Sequence, residues 1–328
     1  MKRKIYDQLL EWKSQEHHKP LILNGVRQCG KTYVLKEFGR REFESLAYVS
    51  CDRNVNLQAI YSGDFDVARI IQGLSALTGV DIIPGKTLIF LDEVQAFPQA
   101  LEALKYFCED APEYHIVVAG SLLGVALHAG VSFPVGKVQT LRLFPMDFEE
   151  FLMAMGEEQL LKLMHSHDYE LMNAFHEKLK DLLRQYYYVG GMPEVVKAFA
   201  ENKLLNQVRS LQNEILSNYA SDFSKHAPSQ EVPRIDMVWQ SILGQLSKEN
   251  KKFVYGVLKK GGRAKEFELA IQWLVDAGLV YKITKVSKPE LPLKFYEDLF
   301  KECHEYGIEP LVTIYHFDCT LYMANEYD

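Results

Sequence analysis

Eight consecutive residues, Gly25, Val26, Arg27, Gln28, Cys29, Gly30, Lys31 and Thr32, meet the pattern G-x-x-x-x-G-K-[ST] at every fixed position. The chemistry such a run can do is to hold phosphates. Its glycines let backbone N–H groups turn inward around anionic oxygens, helped by the N-terminus of a following helix. Lys31 would bring a point charge to the β- and γ-phosphates, and the Thr32 hydroxyl would ligate Mg²⁺. The plain alternative, a glycine turn with a chance lysine, is disfavoured by the flanking residues. A second constellation ends Thr87-Leu88-Ile89-Phe90-Leu91-Asp92-Glu93, where two carboxylates follow an apolar run that would otherwise exclude charge. Asp92 is placed to hold Mg²⁺, directly or through water, and Glu93 to polarise an attacking water as general base. The third candidate is Ser121, which follows His115-Ile116-Val117-Val118-Ala119-Gly120. It either senses a γ-phosphate between the other two elements or belongs to a strand-ending turn, and the sequence leaves both open.

These residues need elements to position them. Leu21-Ile22-Leu23 is a short apolar run of buried-strand type, and YVLKEFGRR after Thr32 has a helical pattern, so the phosphate motif sits between strand and helix. Arg40 and Arg41 read as last-turn charges that complement the helix dipole. The start, MKRKIYDQLLEWK, is an amphipathic helix pattern without the apolar core of a signal peptide. From Ile116 to Gly136 there is no acidic or basic residue apart from neutral His128. A membrane helix needs about 20 apolar residues. Gly120, Ser121, Gly124, Gly130, Ser132 and Pro134 interrupt this run, which predicts a buried strand, a turn and a short helix or loop, with no membrane span.

A chain of 328 residues is long enough for two or more domains with their own cores. Hydrophobic content of 48% and charged content of 25% are those of a soluble globular protein. A net charge of −7 argues against wholesale coating of nucleic acid but leaves room for a local basic face. Cys29, Cys51, Cys108, Cys303 and Cys319 are scattered, with no C-x-x-C pair. They suggest neither a disulfide framework nor a zinc ribbon, and the expected compartment is the reducing cytoplasm.

From about Phe151 to Val232 apolar residues recur at helical spacing, as in LLKLM and LKDLLRQYYY. Gly190-Gly191-Met192-Pro193 predicts a sharp turn with a helix starting at Pro193. His165-Ser166-His167-Asp168 has the composition of a metal clip, but no further ligand cluster accompanies it, so a solvated loop is expected. Tyr186 to Tyr188 are read as packing residues. A three-helix order follows, Pro233–Lys248, Phe253–Lys259 and Ala264–Ala277, with a turn at Gly261-Gly262 and an apolar strand Leu279–Ile283. That order fits a winged helix. Lys248, Lys251, Lys252, Lys259, Lys260, Arg263 and Lys265 crowd it against Glu249 and Glu266. Such a face either neutralises DNA phosphates with strong salt dependence or is solvated surface, and winged helices also contact proteins.

Taken together, the residues resemble the prokaryotic AAA+ ATPases that join a P-loop core to a domain of unknown function, DUF4143. The resemblance is carried by RKIYDQLLEW (Arg3–Trp12), KPLILNGVRQCGKTYVLKEF (Lys19–Phe38), LIFLDEVQAFP (Leu88–Pro98), VVAGSLLG (Val117–Gly124) and LRLFPMDFEEFL (Leu141–Leu152). YYYVGGMPEVV (Tyr186–Val196) and Gln245–Val280 extend it to roughly residues 1–293. It implies an α/β P-loop (AAA+) fold, a parallel sheet flanked by helices, which binds and hydrolyses ATP. A mainly helical lid and a winged-helix region would follow. It assigns phosphate binding to Lys31, Mg²⁺ to Thr32 and Asp92, the base to Glu93 and the sensor to Ser121. Where Gly-Arg would be expected, this chain has Gly136-Lys137, which puts an arginine finger there in doubt; Arg142 is the other candidate, and a strand-exposed charge is its simpler reading.

From Phe295 onward, KFYEDLFKECHEYGIEPLVTIYHFD is similar to the retaining β-glucosidases and 6-phospho-β-glucosidases of (β/α)₈ fold, with His316 matching a sugar-contacting histidine. Cys319-Thr320 departs from that family, and its Asn-Glu-Pro and Glu-Asn-Gly signatures are absent. A retaining glycosidase needs two carboxylates about 5–5.5 Å apart, and one helix-strand unit cannot close an eight-stranded barrel, so no glycosidase activity is expected. A junction by gene fusion, recombination or assembly near Pro292–Phe295 would account for the change. The expected organisation is an ATPase core over 1–150, a helical lid over 151–232, a truncated winged-helix-like region over 233–293 and a glycosidase-like fragment over 294–328. The expected function is MgATP hydrolysis that moves lid against core, with a DNA, protein-client or self-association partner. A slow nucleotide-dependent switch and a non-functional fusion fragment are the alternatives.

Overall fold

The computed structural model describes residues 1–121, 134–248 and 252–283. The chain divides into two units, Met1–Tyr281 and Lys282–Asp328. Of the second, Lys282 and Ile283 are described, so the junction near Pro292–Phe295 and the glycosidase-like segment lie outside the described residues, as does the stretch after Ser121.

Five short runs, all but the last rich in apolar and β-branched residues, form one parallel sheet. They are β1 (Leu21–Asn24), β2 (Ser45–Ser50), β3 (Thr87–Asp92), β4 (His115–Gly120) and β5 (Gln139–Arg142). The spatial order is β2-β3-β4-β1-β5. Parallel pairing needs crossovers that cover both faces, and β3 and β4 are accordingly buried along their whole length. Side chains alternate between the faces. Ile22, Ile89, Leu91, Ile116 and Val118 pack against α4 (Val67–Thr78) and α5 (Gln99–Asp110). Leu21, Leu23, Leu88, Phe90, Val117 and Ala119 pack against α1 (Ile5–Ser14) and α2 (Lys31–Glu42). The register pairs Asn24 with both Gly120 and Arg142, and Ser50 with Asp92, which brings the carboxyl ends of the strands to one edge of the sheet. Ligands of open α/β sheets bind at that edge.

α1 is anchored by Leu9 and Trp12, both fully buried. Beneath Trp12, His18 and His115 stack with centroids 3.8 Å apart and planes 12° from parallel. Burial, and then the neighbouring His18, push His115 down to about 4 from its ordinary 6.5. His18 is lowered by burial too. As pH falls, the unfolded chain therefore binds the His115 proton first; stability is full above pH 6.5 and is lost on the way down to about 4. The loss is about 3 kcal/mol for this group. His115→Phe is expected to flatten the melting temperature between those pH values, and parallel pH curves for the two proteins would refute this.

The remaining described chain is helical: α6 (Phe148–Ala154), α7 (Glu158–His165), α8 (Tyr169–Ala174), α9 (His176–Val189), α10 (Pro193–Asn202), α11 (Leu205–His226), α12 (Val232–Leu246) and α13 (Ala264–Asp276), with α3 (Asn56–Ile60) earlier. α10 begins at Pro193, as the turn residues predict. Phe223, Trp239 and Trp273 meet edge to face where α11, α12 and α13 converge. Tyr186 packs on Phe148 and Phe151 and donates to the Met146 carbonyl at 2.9 Å, while Tyr187 and Tyr188 are exposed.

Two expectations for the third helical group do not hold. Phe253–Lys259 is not an α-helix but a single 3₁₀ turn, Tyr255–Val257. The Gln245 amide takes both backbone groups of Val254, donating to its carbonyl at 3.0 Å and accepting its N–H at 3.1 Å, so Val254 is held extended. Gly256 and β-branched Val257 add little helix propensity. Leu279–Ile283 is not a strand. The N–H groups of Leu279 and Val280 turn back to the Leu274 carbonyl, and no strand among the described residues lies beside them.

Candidate functional site

The segment Gly25–Gly30 crosses from the end of β1 to the start of α2. Asn24 Oδ1 accepts the Gly25 N–H at 2.7 Å, fixing the departure of the loop from the strand. A Cβ on Gly25 would run into the Leu143 carbonyl, so only glycine fits there. Gly30, at the N-cap of α2, has φ +95°, and Gln28 is also left-handed. Left-handed residues at alternating loop positions turn N–H groups to one side, the construction of anion-binding nests. The α2 N-terminus adds its own unpaired N–H groups.

Lys31 is 7% exposed, and its ammonium donates to the carbonyls of Gly25 and Val26 at 2.8 Å each. Burial pushes its pKa down, opposed by Cys29, Glu93 and Asp92. Thr32 Oγ1 donates to Asp92 Oδ2 at 2.7 Å, so the two residues expected to share a metal are in contact. Asp92, 4% exposed, also accepts from the Tyr48 hydroxyl at 3.3 Å and from the Glu93 N–H at 3.1 Å. Burial is the largest influence on Asp92 and raises its pKa above the ordinary 3.8, with Glu93 adding to the rise and the three hydrogen bonds opposing it. A carboxylate so placed costs the fold stability at neutral pH. Asp92→Asn is expected to raise the melting temperature while removing the metal ligand. A lower melting temperature would mean that its hydrogen bonds outweigh its desolvation.

Glu93 is left-handed at φ +52° and half-buried, and its carboxylate accepts from the Gln95 side chain. Ser121 lies one residue beyond β4 and is 4% exposed; its Oγ, like Gln28 Oε1, has no hydrogen-bond partner among the described residues. Buried polar atoms are normally paired, so the orphaned Ser121 hydroxyl, the glycine cradle and the paired Thr32 and Asp92 fit a phosphate ligand with a hard oxygen-seeking cation. Thr32 and Asp92 are the residues that would hold Mg²⁺, and the loop Gly25–Thr32 the phosphates.

Several residues at the site had no role in the sequence reading. Arg3, 7% exposed, spans three elements. It donates to the Cys29 carbonyl at 2.8 Å, the Phe144 carbonyl at 2.6 Å and Glu150 Oε1 at 3.0 Å. Glu150 also closes a capping box with Asp147 at the start of α6. Tyr48, pushed up to about 12 by burial and by Asp92, steadies that carboxylate from β2. From α11, the Tyr219 hydroxyl donates to the Arg27 carbonyl at 2.8 Å, and Asp222 pairs with the Arg27 guanidinium. Period-2 and period-3.6 patterns cannot bring such distant polar residues together; a buried-face Asp on α11 was the one available signal.

The other candidates make contacts outside the loop and the acidic strand end. Arg142 is exposed and stacks over Phe144 and Tyr281 at 5.3 and 5.5 Å. Lys137 pairs with Glu109 at 2.8 Å, and Arg41 with Glu37. His165 lies 3.0 Å from Glu149, and no group of three potential metal ligands occurs among the described residues. In the basic cluster Lys259 pairs with Glu266 at 2.7 Å, while Glu249 and Lys251 lie outside the described residues. A cleft of about 650 Å³ opens beside Tyr33, the residue after Thr32, between the chain start, α2, α6 and α7. No helix among the described residues is long and apolar enough to cross a membrane.

Comparison with known proteins agrees with this geometry. The profile of an AAA domain matches residues 17–152. A domain of unknown function, DUF8612, matches residues 180–302, a different number from that suggested by the sequence resemblance. Glycosyl hydrolase family 1 matches residues 283–326. Among solved structures, a Walker-type ATPase of Pyrococcus abyssi superposes with a TM-score of 0.55 at 14% identity, covering 88% of this chain and 93% of that one. Two curated relatives match the glycosidase-like part: the 6-phospho-beta-glucosidase AscB of Escherichia coli (strain K12), 36% identical over 63 residues, and the aryl-phospho-beta-D-glucosidase BglA of Bacillus subtilis (strain 168), 47% identical over 38. Those matches take in 19% and 12% of this chain and only 13% and 8% of the glucosidases. The chain thus has the fold of a Walker-type ATPase, with residues 17–152 similar to an AAA domain, 180–302 to a domain of unknown function and 283–326 to glycosyl hydrolase family 1.

Proposed function

We propose that the chain binds MgATP at the loop Gly25–Thr32 and hydrolyses it to ADP and phosphate. The observation that carries this is the 2.7 Å hydrogen bond from Thr32 to Asp92, which joins the phosphate loop and the acidic strand end into one site beside Lys31. Loop N–H groups and Lys31 hold the β- and γ-phosphates, with Lys31 exchanging its two carbonyl partners for phosphate oxygens. Thr32 and Asp92 would hold Mg²⁺, which when bound would neutralise charge on the phosphate oxygens. Glu93 takes the proton of the attacking water as its oxygen bonds to the γ-phosphorus. The bond from that phosphorus to the β,γ-bridging oxygen breaks, and the electron pair leaves on ADP. Ser121, with its unpartnered hydroxyl, donates to a γ-phosphate oxygen. The nucleoside lies in the cleft beside Tyr33, whose volume is in the usual range for a small-molecule site.

In this reading the helices over 151–232 act as a lid, hydrolysis changes their position relative to the core, and the protein works in the cytoplasm. The face from Lys248 to Lys265 is a candidate DNA contact, in which case affinity falls steeply with salt; a protein client or a second copy is the other partner class. The glycosidase-like segment has no glycosidase activity of its own, because the paired carboxylates are missing.

The bond from Gln95 to Glu93 favours a second reading, a slow nucleotide-dependent switch whose base is engaged by a neighbour. Phosphate release from MgATP, measured over a range of protein concentration, separates the two. Turnover that rises with concentration supports an oligomeric ATPase, whereas tight binding with flat, minimal release supports the switch.

A further inference from the structure

One helix holds the phosphate loop from outside. Tyr219 and Asp222, three residues apart on α11, share a helix face. Tyr219 fixes the Arg27 backbone through its carbonyl at 2.8 Å, and Asp222 holds the Arg27 guanidinium. Asp222 is 5% exposed and sits next to Phe223, which is fully buried against Trp239 and Trp273. The loop is therefore tied, through one ion pair and one hydrogen bond, to the core where α11, α12 and α13 meet.

Arg27 follows directly on Gly25 and Val26, whose carbonyls enclose the Lys31 ammonium. Its backbone thus belongs to the end of the loop where Lys31 reaches the terminal phosphates. With that backbone fixed by Tyr219, rotation of the side chain is the freedom left to it, and the side chain is 37% exposed. A guanidinium is always charged and grips phosphate bidentately. Two other arginines near the loop are engaged by other groups: Arg3 by Glu150 and two carbonyls, Arg142 by the rings of Phe144 and Tyr281.

We infer that Arg27 is a catalytic residue that contacts the γ-phosphate from within the loop, and that Asp222 is the counter-ion it exchanges for that phosphate. This rests on the MgATP reading above. In the transfer, Arg27 offsets negative charge on the γ-phosphate oxygens and exchanges no proton; the water proton still goes to Glu93 and the bond-pair electrons to ADP. Once phosphate departs, Arg27 returns to Asp222, so α11 registers whether a third phosphate is present.

The test compares affinities for MgADP and for a magnesium complex of a non-hydrolysable ATP analogue, together with turnover of MgATP, using the full chain. Arg27→Gln is expected to weaken the triphosphate analogue about tenfold or more and to leave MgADP within about twofold. Turnover is expected to fall about a hundredfold. Asp222→Asn is expected to tighten the analogue and leave MgADP unchanged, because the competing carboxylate charge is gone. Since Arg27→Gln leaves Asp222 buried without its partner, the double variant Arg27→Gln, Asp222→Asn is made as well, and must show the same selective loss. Equal weakening of both nucleotides by Arg27→Gln, or weakening of the analogue by Asp222→Asn, would make the pair a structural tether and overturn the inference alone. Failure of the unaltered chain to bind either nucleotide would overturn the phosphate site along with it.

Discussion

Lys31→Ala is expected to weaken MgATP binding by about 2–5 kcal/mol, a factor of about thirty to several thousand. The size follows from where the ammonium sits. It is buried, and its ordinary charge is disfavoured there by desolvation. A charge kept in such a place needs strong partners, and the carbonyls of Gly25 and Val26 supply them in part. Phosphate oxygens are better partners, because both members of the pair are then ionised. Isothermal titration of MgATP into the two proteins reads the difference directly. Equal affinities would mean that the loop binds phosphate through its backbone alone, or that nucleotide binds elsewhere. Removing the lysine should leave the fold standing, since alanine fits at a helix start.

The second large effect concerns chemistry rather than binding. Glu93→Gln is expected to keep affinity for MgATP within a few-fold and to slow turnover by about 10²–10⁴. Gln has the shape of Glu and can still accept from Gln95, so the left-handed turn at this position and the 3₁₀ turn after it, Val94–Ala96, are preserved. What it lacks is a site for the proton of the attacking water. Single-turnover phosphate release separates this from an effect on product departure. Undiminished release would remove Glu93 from the role of base and leave Asp92, which is already engaged by Thr32, Tyr48 and Glu93, as an unsuited substitute.

The parts of the site that the sequence made legible are those whose chemistry demands fixed residue types at fixed spacing. Gly25 through Thr32 had to be a loop between strand and helix, and Asp92 had to end a buried strand, because phosphate and metal leave little choice. Apolar runs gave β1, β3 and β4, which two covered faces require, but not β2 or β5, whose burial is partial, and the apolar run Leu279–Ile283 forms no strand. Strand order was not legible: β1 lies between β4 and β5, and nothing local to Leu21–Asn24 encodes that. Nor were the supports. Arg3, Tyr48, Tyr219 and Asp222 reach the loop and Asp92 from distant positions, and a lone polar residue carries no mark of what it will touch. The failure at Phe253–Lys259 has the same origin, because one side chain, Gln245, satisfies the backbone of Val254 and overrides local helix tendency.

The account depends above all on nucleotide entering the loop Gly25–Thr32 of a folded chain. The most direct measurement is the melting temperature of the unaltered protein with and without saturating MgATP. At a hundred times its dissociation constant a ligand stabilises by about 2.7 kcal/mol, which for a chain of this size raises the midpoint by roughly 4 °C. A rise of that order is the predicted result. A sharp transition at the same temperature with and without MgATP would contradict it.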